Sequence, residues 1–146
     1  MANDVDLAQA LATAINDATF SQAISSEFRF DQYLENEDVD SITVRVSVES
    51  DSRTREGRGV WHRQSLLSVV MIAPQQVNSS ATVDAVSQIE NLLDLWDEVL
   101  DYIQTYSPNG RSASSIESFD GSRYDKDKLQ NDRQFRSGCL VEYRLT

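Results

Sequence analysis

Ile42-Thr43-Val44-Arg45-Val46-Ser47-Val48-Glu49 alternates without a break: Ile42, Val44, Val46 and Val48 face one way, Thr43, Arg45, Ser47 and Glu49 the other. A period of two is the mark of a β-strand, and this composition predicts one core face and one wet face. The chain is therefore sheet-based. Downstream, His62–Ile72 is apolar on both faces from Leu66 onward, which predicts a central strand covered on part of its second side. Pro74 is expected to end it, because proline offers no N–H to a ladder. Between these strands, Ser50–Val60 sets Gly57 and Gly59 among arginines and is longer than a tight hairpin needs. It reads as a flexible, projecting basic loop. Upstream, Phe28 and Phe30 alternate with Arg29 and Asp31 as a half-buried strand over Glu27–Leu34, followed by an acidic loop at Glu35, Glu37, Asp38 and Asp40.

Helices flank this strand region. Leu7, Leu11, Ile15 and Ala18 recur at helical spacing among alanines, so a helix capped by Asn3 or Asp4 runs to about Asp17 or Ala18, with a short second turn through Phe20 and Ile24. A longer helix starts near Thr82 and carries Val86, Ile89, Leu93, Trp96, Leu100 and Ile103 at three- and four-residue steps. Leu92, Leu95 and Val99 widen its stripe, which fits a helix lying on a sheet. Glu90, Asp94, Asp97, Glu98 and Asp101 decorate its outer side and flanks, and Ser107-Pro108-Asn109-Gly110 stops it. A weak strand follows around Ile116 and Phe119. Gln134–Leu145 closes the chain as a strand with Phe135, Ser137, Cys139, Val141 and Tyr143 on one face. The fold class is α+β, an antiparallel or mixed sheet with two main helices packed against it and a long basic inter-strand loop.

Length and charge narrow the function classes. The 146 residues form one domain, 1–146, large enough for a hydrophobic core without disulfides or metal. A net charge of −11 counts against a partner held mainly through phosphates. The single Cys139 cannot form an internal disulfide, and the N-terminus lacks a signal-peptide pattern, so a cytosolic site of synthesis is expected. No apolar run approaches the roughly 20 residues of a membrane span, and a soluble protein is expected. Charge is also segregated. Arg53, Arg55, Arg58 and Arg63 crowd one segment, and no Lys or Arg recurs until Arg111, a gap that contains the acidic helix. A basic patch and an acidic face on one small domain point to docking between copies.

Residues that carry chemistry are sparse. His62 is the only histidine, and no partner at a telling spacing marks a site around it, so it reads as a partly exposed strand-end imidazole. Cys139 shares a strand face with Phe135, Val141 and Tyr143 and reads as a buried structural thiol. Asp120–Asp127 looks superficially like a calcium loop but lacks the EF-hand ligand spacing, central glycine and closing glutamate. Gly57-Arg58-Gly59 lacks the third glycine of a phosphate cradle. Asp38 and Asp40 are paired carboxylates without a base or pocket, and the Asn78-Ser79-Ser80 sequon is idle without secretion. The expectation is a protein that is not an enzyme and needs no cofactor or metal. The Arg53–Arg63 cluster, with only Trp61 as an aromatic among it, fits contact with an acidic protein surface ahead of a solvated loop or a nucleic acid.

The order of elements, together with "ALATAINDATFSQAI", "ITVRVSVES" and "FRSGCLVEYRL", resembles phage tail terminator (tail completion) proteins over nearly the whole chain. That resemblance implies a hexameric ring that caps the tail tube and offers the surface to which the head connector or closure protein docks. It allows for subunits that are monomers in isolation, and DNA is only a passing cargo. It implies a virion tail protein made in the host cytoplasm, with no catalytic residues to carry over and with ring or tube contacts from the loop at Ser50–His62. Arg53, Arg55, Arg58 and Trp61 would then face Glu90, Asp94, Asp97 or Asp101 of the next subunit. Other readings are a different phage neck component, such as a head-closure or connector protein, a small non-catalytic adaptor domain, or an enzyme using His62 or Cys139.

Overall fold

The computed structural model describes residues 3–30, 42–76, 83–126 and 134–144. The strand expected at residues 31–34, the acidic stretch from Glu35 to Asp40, the sequon at Asn78, the Thr82 cap and Asp127 lie outside the described residues, as do the side chains of Asp84, Val86 and Asp120. Two helices, α1 (Asn3–Asp17) and α2 (Val83–Thr105), accompany strands β1 (Ser25–Phe28), β2 (Thr43–Gly57), β3 (Val60–Gln76), β4 (Ala113–Ser118) and β5 (Gln134–Arg144). The strands form one sheet in the order β1-β2-β3-β5-β4. β1 runs parallel to β2 and every other pair is antiparallel, so the sheet is mixed and the architecture is α+β.

The core lies between the helices and one face of the sheet. Leu7, Ala8, Leu11, Ala12 and Ile15 of α1 and Leu92, Leu95, Trp96, Val99 and Ile103 of α2 meet Val44, Val46, Leu67, Val69, Met71, Cys139, Val141 and Tyr143. On α2 the buried stripe is centred on Leu92, Leu95, Trp96, Val99 and Ile103, which leaves Leu93 and Leu100 half-buried on its flanks. The helix ends where Pro108 is buried in a short turn and Asn109 takes φ 51°, a left-handed conformation that asparagine tolerates better than most residues. Phe20 and Ile24 pack on the core from irregular chain rather than from a second helical turn. There the amide of Ser21 donates to Glu98 at 2.9 Å, tying the segment after α1 to α2.

Four further details differ from the sequence reading. β1 starts at Ser25 and stops at Phe28, leaving Phe30 at 81 % exposure with its ring edge-on to Phe28. The second face of β2 is not wet: Thr43, Arg45 and Ser47 are buried, and Arg45 Nε lies 2.8 Å from its direct cross-strand neighbour Glu27. Polar alternation marks a strand's two faces but not whether the polar one reaches water. Pro74 does not end β3, which runs on to Gln76; the proline sits in a break of register between Ile72 and Gln76, where no regular ladder bond is asked of it. The fourth difference, at Ser50–Val60, shapes the candidate site. On the far face of the sheet, Phe119 covers Val70 and Ile72, as the two-sided apolar pattern of β3 predicts.

Candidate interaction surfaces

Ser50–Val60 is not a flexible loop. Rungs of the β2–β3 ladder continue from Ser50↔Leu66 through Arg53↔Arg63 and Arg55↔Trp61 to Gly57↔Val60, so only Arg58 and Gly59 join the strands. Gly59 takes φ 75°, which glycine adopts at no steric cost in a two-residue turn. Among the described residues the last rung between β3 and β5 is Gln64↔Arg144, and β1 pairs with β2 only as far as Val46. The ribbon beyond therefore projects from the sheet as a two-stranded arm of about 17 Å, taking about 3.4 Å for each residue from Arg53 to Gly57. Every residue from Glu49 to Trp61 is exposed.

A bulge sets the direction of the arginines. Val48 pairs with Leu67 but Ser50 pairs with Leu66, so Glu49 is an extra residue in β2 and the side-chain alternation changes phase there. Asp51, Arg53 and Arg55 consequently share a face with Ser65, Arg63 and Trp61, the face that continues into Leu67 and Val69 beneath the helices. Without the extra residue they would follow Thr43, Arg45 and Ser47 to the opposite side. At the base of the arm, Arg63 grips Asp51 with two nitrogens, at 3.2 Å from Nε and 3.1 Å from Nη2, and approaches Asp4 of α1 at 4.0 Å. On the other face, the Arg144 guanidinium donates to the His62 ring, 2.8 Å from Nε to Nδ1, while Glu56 contacts Nε2. These cross-strand pairs, each contributing about 0.2–1 kcal/mol, hold as a ladder a stretch that has no apolar alternation.

The predicted basic residues thus stand together. Arg55 lies directly across from Trp61, Arg53 across from Arg63, and Arg58 at the turn. Trp61 and its neighbour Val60 are the large apolar side chains exposed there, at 56 % and 52 %. The predicted acidic residues are on another surface: Glu90, Asp94, Asp97 and Asp101 are exposed along α2. Asp97 is engaged within the chain, accepting from Arg123 Nη2 at 2.7 Å, in a pair exposed enough to contribute little to stability. Among the described residues no ion pair joins Arg53, Arg55 or Arg58 to any of these four acids, so the chain does not bring the two groups together by itself.

One feature of the acidic surface was not visible in the sequence. A groove of about 590 Å³ runs between α2 and the edge strand β4, with Leu100, Ala113 and Ile116 as its apolar lining and Asp97 and Asp101 at its rim. Leu100 and Ile116 lie far apart in the chain, so only the sheet order brings them together. A second depression, of about 740 Å³ on the far face, is lined by Phe119, Tyr124 and Arg136 and floored in part by Gly138.

The remaining candidates are structural. Cys139 is a buried free thiol in the core, and burial pushes its pKa up to about 12, which keeps it protonated and unreactive near neutrality. In the segment that superficially looks like a calcium loop, Tyr124 stacks on Phe135 and the amide of Asp125 donates to the carbonyl of Arg136 at 2.8 Å. Among the described residues, no three of His, Cys, Asp and Glu converge as a metal site would require. No described helix is long and apolar enough to cross a membrane. No protein-family model matches the chain, and no curated protein matches it.

Proposed function

We propose that this protein is a structural component of a phage virion, a tail terminator that forms a ring on the end of the tail tube and presents the surface for head joining. The observation that carries the reading is that one α+β domain holds two unlike association surfaces, a projecting basic arm with an exposed Trp61 and an acidic helix face elsewhere. A cyclic ring needs two different patches on each subunit, because its interface is heterologous. The layout of elements that resembles tail terminator proteins supplies the context. In such a ring the arm takes the place of the inter-strand contact segment, apolar burial holds the subunits, and the charged rim steers and registers them. The net charge of −11 suits a wall past which DNA slides, since like charge suppresses phosphate binding. Its partners in this role are copies of itself, the tail tube protein and the head connector or closure protein, in the neck region of the tail.

Electron microscopy of tails assembled with and without the protein tests this. Capped tubes of uniform length that join heads are expected with it, and tubes of uncontrolled length without it. Normal tails that merely fail to retain heads would place the protein on the head side of the neck instead.

A further inference from the structure

We infer that the arm of one copy seats in the groove between α2 and β4 of a second copy, with Trp61 on the Leu100–Ile116 lining and Arg55 against Asp101. The inference rests on the ring reading above and names the receiving surface within it. Three observations converge. The arm tip combines an exposed tryptophan with flanking arginines, the side chains that most often dominate interface energies. The groove offers the complement, the apolar side chains of Leu100, Ala113 and Ile116 set among polar ones beside the carboxylates of Asp97 and Asp101. As an open groove of roughly 590 Å³ it has room for an indole with a guanidinium beside it. The rim already receives one guanidinium, since Arg123 bonds Asp97 there, while the carboxylate of Asp101 one turn further along faces solvent.

The contact must come from another copy. The arm is a paired ribbon from Arg53↔Arg63 to Gly57↔Val60 that leads away from the sheet, and β5 separates β3 from the groove edge at β4, so the tip stands away from its own groove. An arm from one side and a groove on the other make a head-to-tail contact, which closes into a ring or runs on as a filament.

Two variants test it, Val60→Cys on the arm and Ser114→Cys in the groove wall, mixed at high protein concentration with a bifunctional maleimide at neutral pH. Cys139 stays in place because its thiol is buried. The expected product is a cross-linked dimer between the two variants, at a yield well above that of Val60→Cys mixed with a β1-edge control, Ser25→Cys. Adding Asp101→Arg to the groove copy should lower the yield on the order of tenfold, and adding Arg55→Asp to the arm copy should restore it. Equal yields with the control, or no response to the charge swap, would overturn the inference. If cross-linking fails while tails still carry ring caps, the groove is wrong and the ring reading stands. If cross-linking succeeds while tubes grow to uncontrolled length, the contact is right and the capping role falls.

Discussion

A methyl group at Gly138 has no room. An ideal Cβ there would lie 2.5 Å from the nearest ring carbon of Phe119, so this glycine in β5 is the slot that lets Phe119 lie over Val70 and Ile72. Gly138→Ala should lose about 1–3 kcal/mol by overpacking, measured as a shift in the urea midpoint, and Phe119→Ala in the same chain should remove that penalty. Cys139, the next residue, gives a pH dependence. An unfolded thiol titrates near 9.0 and the buried one near 12, so between these values the unfolded chain binds fewer protons. Stability is then complete below about pH 9 and falls as pH rises, by up to about 1.4 kcal/mol per unit. Burial raises Tyr143 as well, in the same direction from its ordinary 10.0. Cys139→Ala should flatten the loss between about pH 9 and pH 10, read from urea unfolding across that range.

At the scale of elements, Trp96 is 1 % exposed between α2 and the sheet. Trp96→Ala should cost about 3–5 kcal/mol in urea unfolding, and a loss below about 1 kcal/mol would mean that it does not pack there. α1, α2 and the inner faces of β2, β3 and β5 were legible in the sequence because burial imposes a period on apolar residues. The arm was not. Arg53, Thr54, Arg55 and Glu56 are polar on both faces, and a ladder held by backbone bonds and exposed side-chain pairs leaves no apolar period to read. The turn signal was present in Gly57-Arg58-Gly59, but the Glu49 bulge that aims the arginines has no local signature. The α2–β4 groove depends on sheet order, which no single segment encodes.

At the scale of the whole molecule, charge segregation acquires geometry. The basic residues ride on a paired ribbon that extends beyond the sheet, and the acidic ones line a helix beside an open groove at the sheet's β4 edge. One copy cannot satisfy both surfaces, and a head-to-tail series of copies can. Reversing two charges on the arm is the most direct test that these surfaces hold copies together. Arg55→Glu with Arg58→Glu touches exposed residues, so the fold should survive, with a circular-dichroism melt close to the parent's. Light scattering under conditions where the parent associates should show weaker assembly that dissolves at lower salt. Assembly of unchanged size and salt tolerance would contradict the account.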